Sequence, residues 1–114
     1  MSQGWIKLVA DENAPSVAAE STASGDLLVA TCLAAAANGD NNALFDLGVA
    51  YSTGSHGVPC DMIEAHKWFN LAAVGGHEEA GYCRADVSDE MTAREIAEAQ
   101  RRAREWLRSG RAAA

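Results

Sequence analysis

Ala43–Ala80 reads ALFDLGVAYSTGSHGVPCDMIEAHKWFNLAAVGGHEEA, and its spacing decides the fold. At 100° per residue, Ala43, Leu44, Leu47, Gly48, Ala50 and Tyr51 gather within an arc of about 160°, the width of one buried helix face. That helix is expected to begin near Asn41. The next six residues, Ser52-Thr53-Gly54-Ser55-His56-Gly57, read as a loop, because Gly54 and Gly57 permit backbone angles that a Cβ resists. Asp61 then sits where a side-chain oxygen can accept from the first free amides of a second helix. This second helix carries Ala65, Trp68, Phe69, Ala72 and Ala73 and stops at Gly75-Gly76. Ala43, Gly48, Ala65 and Ala72 are small enough to let two helices approach, and Tyr51, Trp68 and Phe69 fill the seam. The stretch therefore predicts a helical hairpin.

Upstream, Gly25-Asp26 punctuates the chain, with Asp26 as the expected N-cap of a helix that ends before Asn38-Gly39. Residues 1–24 lack a sustained period. They hold an apolar patch (Trp5, Ile6, Leu8, Val9) and a weak helical segment between Ser16 and Ala23, and they are read as an arm outside a helical domain over 25–110. Downstream, a short helix is expected from Glu78 to Asp86. The last helix opens at Thr92-Ala93-Arg94-Glu95, a capping box in which threonine and glutamate each satisfy a first-turn amide. Ile96, Ala99, Ala103, Trp106 and Leu107 form its apolar stripe, arginines suit its C-terminal dipole, and Gly110 ends it. The reading is about five helices with short links and no strand.

Displacing the sequence by 37 residues superposes Cys32 on Phe69, Ala35 on Ala72, Ala36 on Ala73, Gly39 on Gly76 and Ala43 on Ala80. Small residues recur where helices must touch and glycine recurs where the chain must turn, as in a helical-hairpin repeat. Ala43, Leu47-Gly48, Tyr51, Gly54, Gly57-Val58, Asp61, Ala65, Trp68-Phe69, Ala72-Ala73, Gly76 and Ala80 together resemble the Sel-1-like repeat, with a loop one residue longer at Ser55-His56. Residues 27–39 resemble the second helix of a preceding copy. Met91–Gln100 resembles the C-terminal helix of short bacterial-type members, whereas Gly81-Tyr82-Cys83-Arg84 departs from the repeat. The resemblance spans roughly residues 27–109. It implies an all-α, tetratricopeptide-like α-α superhelix of about one and a half to two repeats, acting as an adaptor in signalling or assembly.

Composition agrees with closely packed helices: 48% of residues are apolar, many of them alanine, and only 6% are aromatic. The formal net charge is −7, which disfavours nucleic acid as a partner. Charge is unevenly placed, since Arg94–Arg111 carries +3 and the remainder −10. No apolar run is long enough to cross a bilayer, the first residues do not read as a secretory signal, and three widely spaced cysteines read as free thiols. A cytoplasmic location is expected.

No pattern marks a catalytic or cofactor site. His56 and Cys60 lie four apart but match no metal-binding spacing, and no base is marked beside Cys32, Cys60 or Cys83. Asp61 and Glu64 are accounted for as a cap and a first-turn acid, His66 as a solvated or hydrogen-bonded helix residue and His77 as a residue of the linking turn. The expected function is non-catalytic: holding a protein or peptide, with self-association as the alternative and hydrolysis as a remote one. The expected contact residues are Asn42, Phe45, Asp46 and Val49, which fall on the side of the first hairpin helix away from its core arc. They await either a separate partner or the N-terminal arm, with Trp5 as a lid.

Overall fold

A computed structural model describes residues 14–110, with side-chain detail from Gly25 onward. These residues form five α-helices: α1 (Ala14–Ala37), α2 (Asn41–Thr53), α3 (Met62–Val74), α4 (Glu78–Ser88) and α5 (Ala93–Glu105). A 3-10 turn (Ser55–Gly57) separates α2 from α3, and the chain widens into a π turn over Trp106–Gly110. No strand occurs among the described residues, so the all-α expectation holds.

The hairpin Ala43–Ala80 folds as its spacing requires. Asp40 caps α2 by accepting from the amides of Asn42 and Ala43, and Asp61 caps α3 by accepting from Ile63 and Glu64 at 3.1 and 3.2 Å. Gly48 lies against the Phe69 ring so closely that a Cβ there would stand 2.5 Å from the ring. Phe69 and Leu47 are the largest side chains fully withdrawn from solvent. At α5, Thr92 and Glu95 exchange the two hydrogen bonds of the expected capping box.

The 37-residue offset reappears in the backbone. Gly39 and Gly76 both take the left-handed conformation, with φ of +92° and +106°. Gly39 donates to the Ala36 carbonyl and Gly76 to that of Ala73; Asp40 donates to Ala35 and His77 to Ala72. The residue after each turn then caps the next helix: Asp40 through its carboxylate, His77 through Nδ1, which accepts from the Ala80 amide at 3.2 Å. His77 is therefore more than a linking-turn residue. One turn has been built twice, with a carboxylate in the first copy and an imidazole in the second doing the same work.

Two expectations fail along α1. Asp26 caps nothing: it is exposed, inside a helix that begins at Ala14 and runs through Gly25. The boundary placed between residues 24 and 25 consequently falls within one helix, while the Trp5 patch lies outside the described residues. Gly25 is a notch rather than a break. It is buried, and a Cβ on it would stand 2.8 Å from the His56 carbonyl oxygen and 2.9 Å from the Gly57 carbonyl carbon. The long loop between α2 and α3 thus rests directly on α1 where α1 has no side chain. The loop is strained to do so, since His56 is a non-glycine residue at φ +59°.

α3 is the central helix, packed against α2, α4 and α5. Cys32, Leu44, Leu47, Trp68, Phe69, Leu71 and Val87, with alanines between them, make one continuous core.

Candidate interaction surfaces

The expected contact residues divide. Asn42 and Asp46 are exposed, but Phe45 and Val49 are half-buried and packed against the core. The Phe45 ring lies 5.6 Å from that of Phe69 and stacks on the His77 imidazole at 4.3 Å, 11° from parallel. The outward placement of Phe45 is corrected by these contacts. The arc was drawn for a helix with one neighbour, whereas α2 touches α1, α3 and the head of α4. Phe45 and Val49 therefore offer no open apolar patch, and only Asn42 and Asp46 of the four are exposed.

A polar cluster that the sequence did not reveal joins α3 to α5. Glu64 is not merely a first-turn acid. Its Oε1 accepts from the Trp68 indole N–H at 3.1 Å and pairs with the Lys67 ammonium at 3.5 Å. Its Oε2 accepts from Arg102 at 2.8 Å, across 38 residues of sequence. Lys67 Nζ also lies 4.1 Å above the Trp68 ring, and Trp106 meets the same ring in a T-shaped contact with centroids 5.1 Å apart. Glu98 accepts from both Arg101 and Arg102, and those hydrogen bonds hold its carboxyl at about 2. The Glu98–Arg102 pair closes at 2.8 Å, and Arg101–Glu105 is looser at 3.8 Å. The available signal for Glu64 was its spacing to Trp68, four residues on one face; Arg102 is too distant in sequence for any local rule.

His66 is 3% exposed and its Nδ1 has no hydrogen-bond partner among the described residues, so it is neither solvated nor bonded there and belongs to the interior. Burial, and secondarily the nearby Arg84 charge, push its pKa below the ordinary imidazole value. His56 is exposed and meets only the Ser55 hydroxyl, at 3.3 Å. Among the described residues no three histidine, cysteine or carboxylate side chains are placed to hold a metal ion. Cys32, Cys60 and Cys83 are unbridged. Burial raises the Cys32 and Cys83 thiols, and acidic neighbours raise them further, away from the thiolate that a nucleophile needs. No described helix is long and apolar enough to cross a membrane.

A cleft of about 470 Å³ lies where the ends of α1, α3 and α5 meet the start of α2. Ala36 and Ala37 form one wall, Trp106 and Leu107 the other, with Leu44 and Leu71 as the floor. Val74 at its rim is 71% exposed and Leu107 38%. A recess of about 340 Å³ adjoins it beyond Trp106, bordered by Lys67, Arg101, Arg102, Glu105 and Ser109. Compared with known proteins, the chain matches no family model, no curated protein and no solved structure.

Proposed function

We propose that this chain is a short helical-hairpin repeat module of the Sel-1-like kind, a tetratricopeptide-like stack whose role is to hold another protein rather than to transform a substrate. The observation that carries the reading is the turn built twice, 37 residues apart, with the same carbonyl acceptors and a capping side chain each time. Recurrence of a whole turn, not only of small residues, is what stacked repeats produce, because each hairpin must present the same edge to the next. Repeats of this type spend their core on neighbouring helices and leave extended faces for partners. The partner in this reading is a protein or peptide, engaged in complex assembly or signalling. No nucleic acid, cofactor or metal enters it.

The test is capture by the folded chain from its native cells, followed by reconstitution with the purified candidate and calorimetry. A Trp68→Ala variant serves as the folding-impaired control. A partner that binds the intact chain directly and saturably supports the reading. Capture that never survives reconstitution, or turnover of a substrate by the purified chain, refutes it. One observation favours self-association as a second reading: Leu27, on the outward side of α1, is 68% exposed beside the exposed, uncharged Ala30, Thr31 and Ala34. Light scattering across concentrations separates the two.

A further inference from the structure

We infer that the cleft between the ends of α1, α3 and α5 receives an acidic, amphipathic protein segment, with an apolar side chain seated against Trp106 and Leu107 and carboxylates on the arginines beside them. The inference rests on the binding-module reading and gives it a partner class and a place.

The cleft itself is uncharged. Alanines, Leu44 and Leu71 line it, and its polar groups are Asn38, Asn41 and backbone. The Asn41 amide already donates to the Gly75 carbonyl. Asp40 lies next to this rim, but its carboxylate is turned to the α2 amides that it caps. The apolar surface is open: Val74 and Leu107 are both exposed, an arrangement that invites an apolar anchor.

The flanking charge selects the partner. The Trp106–Leu107 wall belongs to the one basic stretch of an otherwise acidic chain. Arg104 stands three residues before Leu107, one helical turn away, is exposed, and forms no ion pair among the described residues. Arg108 follows it, 71% exposed at its side chain and paired with Glu105 at 3.1 Å. On the other side of Trp106, Lys67, Arg101 and Arg102 border the recess, where Glu105 is the one carboxylate. Lys67, Arg101 and Arg102 are each already paired with Glu64 or Glu98, so the positive charge left over beside the uncharged trough is that of Arg104, next to the Arg108–Glu105 pair. A lysine-rich segment meets repulsion there. A phosphate polymer is disfavoured by the net charge of −7 and gains nothing from the trough. A segment with leucine or phenylalanine between glutamates or aspartates satisfies both halves, and arginine is suited to hold carboxylates in a forked geometry.

Two fluorescein-labelled probe peptides test this, alike in their leucines but with glutamate in one and lysine in the other. Anisotropy is measured with the full chain and with an R104E/R108E variant, whose exposed substitutions leave the helical spectrum unchanged. The glutamate probe is expected to bind, to weaken with added salt, and to lose about tenfold or more in affinity on charge reversal, as a change at flanking charges permits. The lysine probe should bind only the variant. Val74→Asp should abolish glutamate-probe binding while the arginines remain. Amide shifts should cluster at Val74–Gly75 and Trp106–Leu107. Equal binding of both probes, no binding at millimolar chain, or shifts confined to Asp46 and α4 would overturn the inference. The last result would leave the binding-module reading standing. A concentration-dependent dimer closed through the cleft, or binding seen only after removal of residues 1–13, would assign the cleft to a second copy or to the chain's own N-terminal segment and equally overturn it.

Discussion

Glu64→Ala should be among the more damaging single changes at a side chain that is not apolar. Removing the carboxylate leaves the Trp68 indole N–H without its acceptor in a side chain that is only 4% exposed. An orphaned buried donor costs about 1–3 kcal/mol. Arg102 loses one acceptor but keeps Glu98 at 2.8 Å and is about a third exposed, so its share is about 1 kcal/mol or less. Loss of first-turn charge from α3 adds about 0.3–1 kcal/mol. The expected total is about 2–4 kcal/mol. Glu64→Gln keeps a carbonyl oxygen for the indole while removing the charge, and should cost about 1 kcal/mol. Arg102→Ala should likewise stay near 1 kcal/mol, with a coupling to Glu64→Ala of about 1 kcal/mol in a double-mutant cycle. Urea unfolding followed by circular dichroism gives all four values. The reasoning fails if Arg102→Ala costs as much as Glu64→Ala, which would make the ion pair the main element. It also fails if Gln is no better than Ala, which would deny the indole bond any weight.

Trp68→Ala should cost about 3–5 kcal/mol in the same assay, the usual loss for a buried large aromatic; a loss below about 1 kcal/mol would remove Trp68 from the core. Phe45→Ala should cost about 2–3 kcal/mol through its contacts with Phe69 and His77, and a loss within 0.5 kcal/mol, the range of about ±0.5 for surface changes, would restore the outward placement. Gly25→Ala should destabilise by about 1–2 kcal/mol although alanine is the better helix former, because the overpacked neighbours are backbone. Asp26→Ala should be neutral within about 0.5 kcal/mol, where loss of a true N-cap costs about 1; thermal melts of the two variants read the pair. His66, held below its ordinary pKa by burial and then by Arg84, stays neutral in the fold while the unfolded chain takes up the proton. Its contribution is therefore full above about pH 6.5 and falls with acidification by up to about 1.4 kcal/mol per pH unit. Urea midpoints between pH 7.5 and 5 should drop for the wild type and flatten for His66→Gln, whereas equal slopes would acquit His66. Glu98, held at about 2, acts in a separate window below about pH 4.5.

Much of the fold was legible because its signals are local. The Asp61 cap, the Thr92–Glu95 box and the Gly39 and Gly76 turns each involve residues a few positions apart, and each stands where the sequence placed it. The errors have a common cause in contacts between distant segments. Gly25 looks like a break until the His56–Gly57 backbone is laid against it, for nothing within α1 says that a loop thirty residues away needs the room. Glu64 looks like a helix-start acid until Arg102 arrives. His66 looks like a surface residue until α4 closes over its side of α3.

The misplaced face of α2 shows why sites are harder to read than folds in a chain of this kind. A periodic arc identifies the face that a helix presents to its hairpin partner, and for Leu47, Gly48 and Ala50 that suffices. A helix that packs on more than its hairpin partner has a second obligation, here to the turn before α4, which falls on residues outside the arc and has no period of its own. Phe45 answers it by stacking on His77, the same residue that caps α4. One imidazole thus closes a helix end and covers a phenylalanine, which ties the register of α4 to the face of α2. Surface left after both obligations is the surface available to a partner, and it can be found only by subtraction from the assembled structure. In the reading proposed above, the place offered to a partner is not the Phe45–Val49 face that periodicity left over but the trough beside Trp106 and Leu107.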